Sequence, residues 1–173
     1  FEPGSFDLLV TDVVMQDVSD ELVQKGLGGI QNSLGRLVSK EKISQEDSDQ
    51  TLGRIQTATD IDAMAGCDLV VEAASENMDV KMGIFPHLNK ICAEHTILAS
   101  NTSSLSLTRI AAGSGRPDRV VGMHFFNPVP LMALVEVIRA LQTSDETYSA
   151  IDTLARDLGK TPVRVKDSPG FVV

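Results

Sequence analysis

The chain has 173 residues and a formal net charge of −9, and 42% of its residues are hydrophobic. This length suits one domain with its own hydrophobic core, and the hydrophobic share argues against a disordered chain. The acidic balance argues against a nucleic-acid partner, because binding to the phosphate backbone needs a basic face. No apolar run approaches the roughly 20 residues of a membrane span, so none is predicted.

Strand-like runs alternate with helical patterns, which predicts an α/β domain with a mostly parallel sheet. The first strand, 12–16, ends at Asp17, and Ser19 is the expected N-cap of a helix that reaches Val38. Pro86 conflicts with the helix at 77–92 and predicts a kink or a late start there. The remaining predicted elements are a helix from Ser44 to about Gly53, strands at 54–58, 67–73, 96–99, 119–123, 134–138 and 161–165, a helical turn at 60–65, and helices at 105–112 and 143–158.

The two cysteines, Cys67 and Cys92, are isolated and do not have the spacing of a metal site. We therefore expect reduced, buried thiols in a cytosol-like compartment. The chain begins with Phe1 rather than Met, which suggests a trimmed or partial sequence.

Polar side chains follow two of the predicted strands. Residues 100–104 come directly after the strand at 96–99, and His124 follows the strand at 119–123. Open α/β sheets place their ligands at the carboxyl ends of their strands. These two segments are therefore the expected location of a functional site.

His124 is the leading candidate for chemistry, because an imidazole exchanges protons near neutral pH. Glu136 lies in an apolar run at 134–138, where a charge is costly unless it is paired. A buried carboxylate beside a histidine orients the ring and stabilises the imidazolium. The alternatives are a structural histidine and an edge-strand or surface glutamate.

Other polar candidates each have a structural alternative. Ser103 suits a hydroxyl that holds a substrate oxygen, whereas Ser104 suits a helix N-cap. Asn127, before Pro128, suits a turn. Asp17 has the position of an acid that binds ribose hydroxyls in dinucleotide folds, and it is equally suited to a turn or an N-cap.

Charged residues near the helix at 77–92 give weaker signals. Glu76 and Lys81 are, on spacing alone, solvated surface charges, and His87 and His95 are expected at the surface. The sequence has no cluster of His, Cys, Asp and Glu that would suggest a metal site. The glycines at 26–29 lie inside a helical pattern and are not a phosphate loop.

Six motifs, in order along the chain, resemble the NAD-binding domain of L-3-hydroxyacyl-CoA dehydrogenases. That family includes 3-hydroxybutyryl-CoA dehydrogenases and the corresponding part of multifunctional fatty-acid oxidation proteins. The motifs are VVMQDVSDE (13–21), DLVVEAASEN (68–77), LASNTSSLS (98–106), GMHFFNPVP (122–130), LVEVI (134–138) and DSPGFVV (167–173).

The resemblance implies a Rossmann-like, doubly wound, mostly parallel sheet, with NAD as cofactor and an acyl-CoA as substrate. It implies that His124 is the general base for oxidation of the 3-hydroxyl and that Glu136 orients it. The further roles that it implies are Ser103 and Asn127 at the substrate, and Asp17, Glu76, Lys81 and Asn101 at the cofactor.

The chain departs from the family pattern at both ends. No strand with Gly-x-Gly-x-x-Gly precedes residue 12, and the chain stops before the family's helical C-terminal domain. We therefore expect an N-terminally truncated fold, with an atypical segment at 1–11, a partial NAD-binding domain at 12–166 and the start of a linker at 167–173.

Two functions fit these observations. The first is NAD-dependent oxidation of (S)-3-hydroxyacyl-CoA to 3-oxoacyl-CoA, in β-oxidation or butanoate-type metabolism, with little activity in this chain alone. The second is a short, non-catalytic, crystallin-like paralogue that binds or supports other molecules. The resemblance also implies a homodimer through the C-terminal domain and a cytoplasmic or mitochondrial-matrix location.

Overall fold

The computed structural model describes residues 12–168, so the predictions for residues 1–11 and 169–173 lie outside the described residues. The strands are β1 Val13–Gln16, β2 Ile55–Ala58, β3 Leu69–Glu72, β4 Ile97–Ser100, β5 Val120–Phe125, β6 Leu134–Arg139 and β7 Thr161–Lys166. The helices are α1 Asp20–Ser39, α2 Gln45–Gly53, α3 Met78–Ile91, α4 Leu107–Ser114 and α5 Asp145–Asp157, with 3-10 helices at Ile61–Gly66 and Pro117–Arg119.

The described residues form two compact units, which divide between Ala63 and Met64. In the first unit, β1 and β2 pair in parallel. Ser19 caps α1 by accepting a hydrogen bond from Leu22 N, as its position before two acidic residues predicts. Ser44 and Asp47 form a capping box at the start of α2.

In the second unit, five strands form one sheet in the order β3-β4-β5-β6-β7. Only the β5–β6 pair is antiparallel, and the other neighbours run parallel. Apolar residues of the central strands pack with Ile151 and Ala155 of α5 into a buried core. The predicted α/β class with a mostly parallel sheet is confirmed.

Two helix starts differ from their predictions, and the start of α3 excludes one of the two alternatives that Pro86 raised. Helix α3 begins directly after Asn77, which caps it, and continues through Pro86, so a late start is wrong. Burial of Phe85 and Leu88 beside the proline offsets the lost backbone hydrogen bond. Ser106 caps α4, and the prediction that Ser104 does so is wrong. Ser144 caps α5, one residue after the predicted start.

Within the part of the chain that the structure describes, no helix has both the length and the apolar character to span a membrane.

Gly115 ends α4 in the left-handed region, with φ of 88°, and a Cβ there would lie 2.4 Å from Asn89 Nδ2. Gly115→Ala is expected to lower the free energy of unfolding by about 2–4 kcal/mol, because it adds backbone strain and displaces a hydrogen-bonded amide. Chemical denaturation measures this loss. Gly83→Ala is the matched control, since open space surrounds Gly83 inside α3. It should stabilise the protein by about 0.5–1 kcal/mol. Equal effects at the two sites would contradict the explanation.

Candidate active site

The register of β5 and β6 places His124 directly opposite Glu136. The distance from His124 Nδ1 to Glu136 Oε2 is 2.8 Å, and the two side chains are 14% and 2% exposed. The ring of Phe126 lies against the imidazole, with 4.8 Å between ring centroids. The pair that the sequence suggested is therefore in contact, with the carboxylate on the buried side.

The orientation of this pair determines what the histidine can do. An ionised carboxylate only accepts hydrogen bonds, so the contact places the hydrogen of a neutral ring on Nδ1. The basic nitrogen is then Nε2, and the negative charge behind Nδ1 stabilises the imidazolium that forms when Nε2 takes up a proton. This arrangement suits a general base.

Glu76 organises the polar segment that follows β4, which we call the serine loop (residues 101–104). Its Oε1 accepts hydrogen bonds from the hydroxyls of Thr102 and Ser104 and from the backbone N–H groups of Ser103 and Ser104, at 2.7–3.2 Å. Partial burial alone would raise the pKa of Glu76, but these hydrogen bonds outweigh it and lower the pKa below its ordinary value. Glu76 is therefore held as a carboxylate that fixes the position of Ser103.

Lys81 is buried, with a side chain that is 1% exposed, so its interpretation as a solvated surface charge is wrong. Its ammonium donates to both carboxylate oxygens of Glu72, at 2.7 and 2.9 Å, and lies 3.9 Å from Glu76 Oε2. Ser100 also donates its hydroxyl to Glu72, at 2.7 Å. Glu72 was not among the sequence candidates, although an acid at the end of an apolar strand was the signal that could have identified it.

The two asparagine candidates lie beside this site in different ways. Asn101 Oδ1 accepts a hydrogen bond from the backbone N–H of Phe125, at 2.9 Å, which ties the serine loop to the strand end that carries His124. Asn127 is exposed and comes two residues after Phe125. Ser103 is also exposed. The second unit thus brings Ser103, Asn101, Glu76 and Lys81 into one network.

Asp17 belongs to the first unit, where it follows the carboxyl end of β1 and is half-buried. Its Oδ1 accepts a hydrogen bond from Val18 N, at 2.7 Å, and its own N–H donates to the carbonyl oxygen of Ala58, the last residue of β2. This is a turn geometry, one of the alternatives that the sequence allows for Asp17, and the carboxylate lies at a strand end.

Asp167, which was not among the sequence candidates either, follows β7 and binds the start of α4. Its carboxylate accepts hydrogen bonds from the backbone N–H groups of Leu107 and Thr108 and from the hydroxyl of Ser106. Burial raises its pKa, but hydrogen bonds from Thr108, Leu107 and Ser106 outweigh this and lower it overall. The carboxylate at this helix start is consistent with the helix dipole.

Because its pKa is lowered on folding, Asp167 stabilises the fold above the ordinary aspartate pKa, and this contribution is lost as the pH falls through its folded pKa. The stability difference between the wild type and Asp167→Asn is therefore expected to shrink as the pH drops below about 4. Urea unfolding at a series of pH values measures this difference. A difference that stayed constant would contradict the assigned role.

Comparison with known proteins gives consistent matches along the chain. A family model described as 3-hydroxyacyl-CoA dehydrogenase, NAD binding domain, matches residues 8–168. A probable 3-hydroxybutyryl-CoA dehydrogenase of Deinococcus radiodurans is 51% identical over 162 residues, which are 93% of this chain and 58% of the relative. The human mitochondrial hydroxyacyl-coenzyme A dehydrogenase is 46% identical over 167 residues, which are 93% of this chain and 53% of the relative.

The solved structures give the same picture. The crystal structure of (S)-3-hydroxybutyryl-CoA dehydrogenase from Ralstonia eutropha superposes with a TM-score of 0.90 and 52% identity, covering 94% of this chain and 57% of the other. The chain thus spans a little over half the length of these relatives.

Proposed function

Since the chain belongs to the NAD-binding domain family of 3-hydroxyacyl-CoA dehydrogenases, we propose that it supplies the catalytic base and part of the cofactor site of such an enzyme. The reaction is oxidation of (S)-3-hydroxyacyl-CoA to 3-oxoacyl-CoA with NAD. The observation that carries this proposal is the contact between His124 and the buried Glu136, 2.8 Å apart at the end of β5. The names of the relatives supply the substrate class.

In the proposed reaction, His124 Nε2 removes the proton from the 3-hydroxyl group of the substrate. Glu136 keeps Nδ1 protonated and stabilises the resulting imidazolium. The cofactor site would hold NAD, which would supply the hydride acceptor for the carbon that bears this hydroxyl. In the reverse direction, the imidazolium returns its proton to the 3-oxo oxygen as that oxygen becomes a hydroxyl.

The serine loop and the segment after β5 hold the substrate in this proposal. Glu76 fixes the backbone of Ser103, so the Ser103 hydroxyl is placed to donate to the substrate oxygen. Asn127, which follows β5, also contacts the substrate in this proposal. Asn101 uses its carbonyl oxygen on Phe125 N, which leaves its amide NH₂ to donate to the cofactor. Glu76 and Lys81 complete the proposed cofactor contacts.

The chemistry at Asp17 fits a dinucleotide. A carboxylate offers about four acceptor positions, and Val18 N occupies one of those on Oδ1. The remaining positions, at the carboxyl end of β1, suit the two hydroxyls of a ribose. A carboxylate here also repels a 2′-phosphate, which favours NAD over NADP. A homodimer and a cytoplasmic or mitochondrial-matrix location remain predictions of the family resemblance.

The test of the dyad is Glu136→Gln, assayed as NADH-dependent reduction of acetoacetyl-CoA by the full-length protein. Glutamine keeps the shape but removes the charge that stabilises the imidazolium, so kcat should fall by about 10- to 1,000-fold. The dissociation constant of NADH should change by less than about threefold, because Glu136 does not contact the cofactor in this proposal.

The matched control is Glu146→Gln, since Glu146 is an exposed partner of Arg119. Its kcat should equal that of the wild type. A wild-type kcat in Glu136→Gln, with the fold intact, would rule out the dyad as the catalytic unit.

A further inference from the structure

Glu72 is a buried acid to which the proposed reaction assigns no role. It ends β3, and its side chain is 3% exposed. Within residues 12–168, each group that hydrogen-bonds to its carboxylate is a donor: the ammonium of Lys81, the hydroxyl of Ser100 and the backbone N–H of Ala74, all at 2.7–2.9 Å. Such a site needs an ionised acceptor, because an amide would direct its own NH₂ towards another donor.

The hydrogen bonds continue from Glu72 into the serine loop. Glu72 O accepts from Asn101 N at 2.8 Å, and the Ser100 hydroxyl accepts from Thr102 N at 3.3 Å. Thr102 then donates its hydroxyl to Glu76, the residue that holds Ser103. Glu72 is therefore connected to the Ser103 backbone by an unbroken series of contacts within one unit.

A second connection runs through Lys81. Glu72 binds the ammonium with both oxygens, and the same ammonium lies 3.9 Å from Glu76 Oε2. The side chain of Lys81 is 1% exposed, and without Glu72 its ammonium would keep Glu76 as its one acidic partner among the described residues. A buried ion pair contributes little net stability compared with an apolar pair of the same volume, whereas removal of one partner is costly. We therefore expect the Glu72–Lys81 pair to fix the position of the ammonium more than it adds to the net stability of the fold.

We propose that Glu72 is a positioning residue that preforms the serine loop and fixes Lys81 before cofactor or substrate binds. Its effect on the reaction rests on the proposed function, since it acts through Ser103, Glu76 and Lys81. Its effect on the loop does not depend on that function.

The test uses the full-length protein and three variants: Glu72→Leu, Lys81→Met and the double variant. Hydrogen exchange followed by mass spectrometry reports the order of residues 101–106, thermal unfolding reports stability, and fluorescence titration reports NADH affinity. Thr143→Val is the control. Thr143 is buried, and its hydroxyl donates a hydrogen bond to Val120 O at the opposite end of β5 from His124. Its replacement by valine should therefore destabilise the same unit without changing a contact of the serine loop.

In Glu72→Leu we expect the melting temperature to fall by about 10 °C, because Lys81 loses its partner. Exchange at residues 101–106 should rise by about tenfold or more, and the dissociation constant of NADH should increase by at least about tenfold. The double variant should recover most of the melting temperature, yet keep the fast loop exchange and the weak NADH binding. Thr143→Val should lower the melting temperature and leave loop exchange unchanged.

Wild-type loop exchange in Glu72→Leu would overturn the proposal. So would recovery of loop protection together with stability in the double variant, because Glu72 would then be a structural residue only. If the wild type does not bind NADH, the proposed function fails, and the loop exchange alone still decides the role of Glu72.

Discussion

His124→Gln is expected to slow the NADH-dependent reduction of acetoacetyl-CoA by about 10²- to 10⁴-fold, the range that general acid–base groups contribute. Glutamine can still hydrogen-bond to Glu136 and to a substrate oxygen, but it cannot exchange a proton near neutral pH. The loss should therefore fall on kcat. The dissociation constant of NADH, measured by fluorescence titration, should stay within about threefold of the wild-type value.

His95→Gln provides the matched control, because His95 is exposed and pairs only with the exposed side chain of Asp68 among the described residues. Its kcat should equal that of the wild type. If His124→Gln retained more than about a tenth of the wild-type kcat, another group would have to be the base.

Arg116→Met is expected to lower the free energy of unfolding by about 3–5 kcal/mol, the largest stability loss that we predict. Arg116 is 9% exposed. Its guanidinium closes the end of α3 and the turn into β4, and methionine fills similar space without donating any hydrogen bond. The acceptors that would lose their donor are Asn89 Oδ1 and the backbone carbonyls of Asn89, Cys92, Ala93 and Thr96.

Chemical denaturation measures the loss, with Arg156→Met as the control. Arg156 is 62% exposed and pairs with Asp152 one helical turn away, so its removal should cost less than about 1 kcal/mol. Similar losses for the two variants would show that the buried carbonyls find other donors and that Arg116 is not the residue that closes this turn.

The site could be predicted where the sequence pattern was local. The sequence indicates Glu136 as a site residue because it interrupts an apolar run, and His124 because it follows one. Their contact depends on the antiparallel register of β5 and β6, which pairs residues 12 apart. No local pattern specifies that register, so the sequence supplied both residues but not the distance between them.

The interpretation of Lys81 shows the opposite case. Its position in the first turns of α3 resembles that of an ordinary surface lysine, and its burial results from contacts with Glu72 and Glu76 on the preceding loop and strand. The prediction of Ser104 as the N-cap of α4 is wrong for a related reason, because several hydroxyl residues before α4 compete for that position. Asp167, about 60 residues later, stabilises the start at Ser106. The cap of α4 and the burial of Lys81 therefore both depend on tertiary contacts, which a local sequence pattern does not contain.

The measurement that tests the central claim most directly is a calorimetric titration of NADH into the full-length protein, followed by acetoacetyl-CoA in the same sample. Our account predicts saturable NADH binding in both the wild type and His124→Gln, with turnover at least about 100-fold slower in His124→Gln. Absence of NADH binding, or equal turnover in the two proteins, would contradict it.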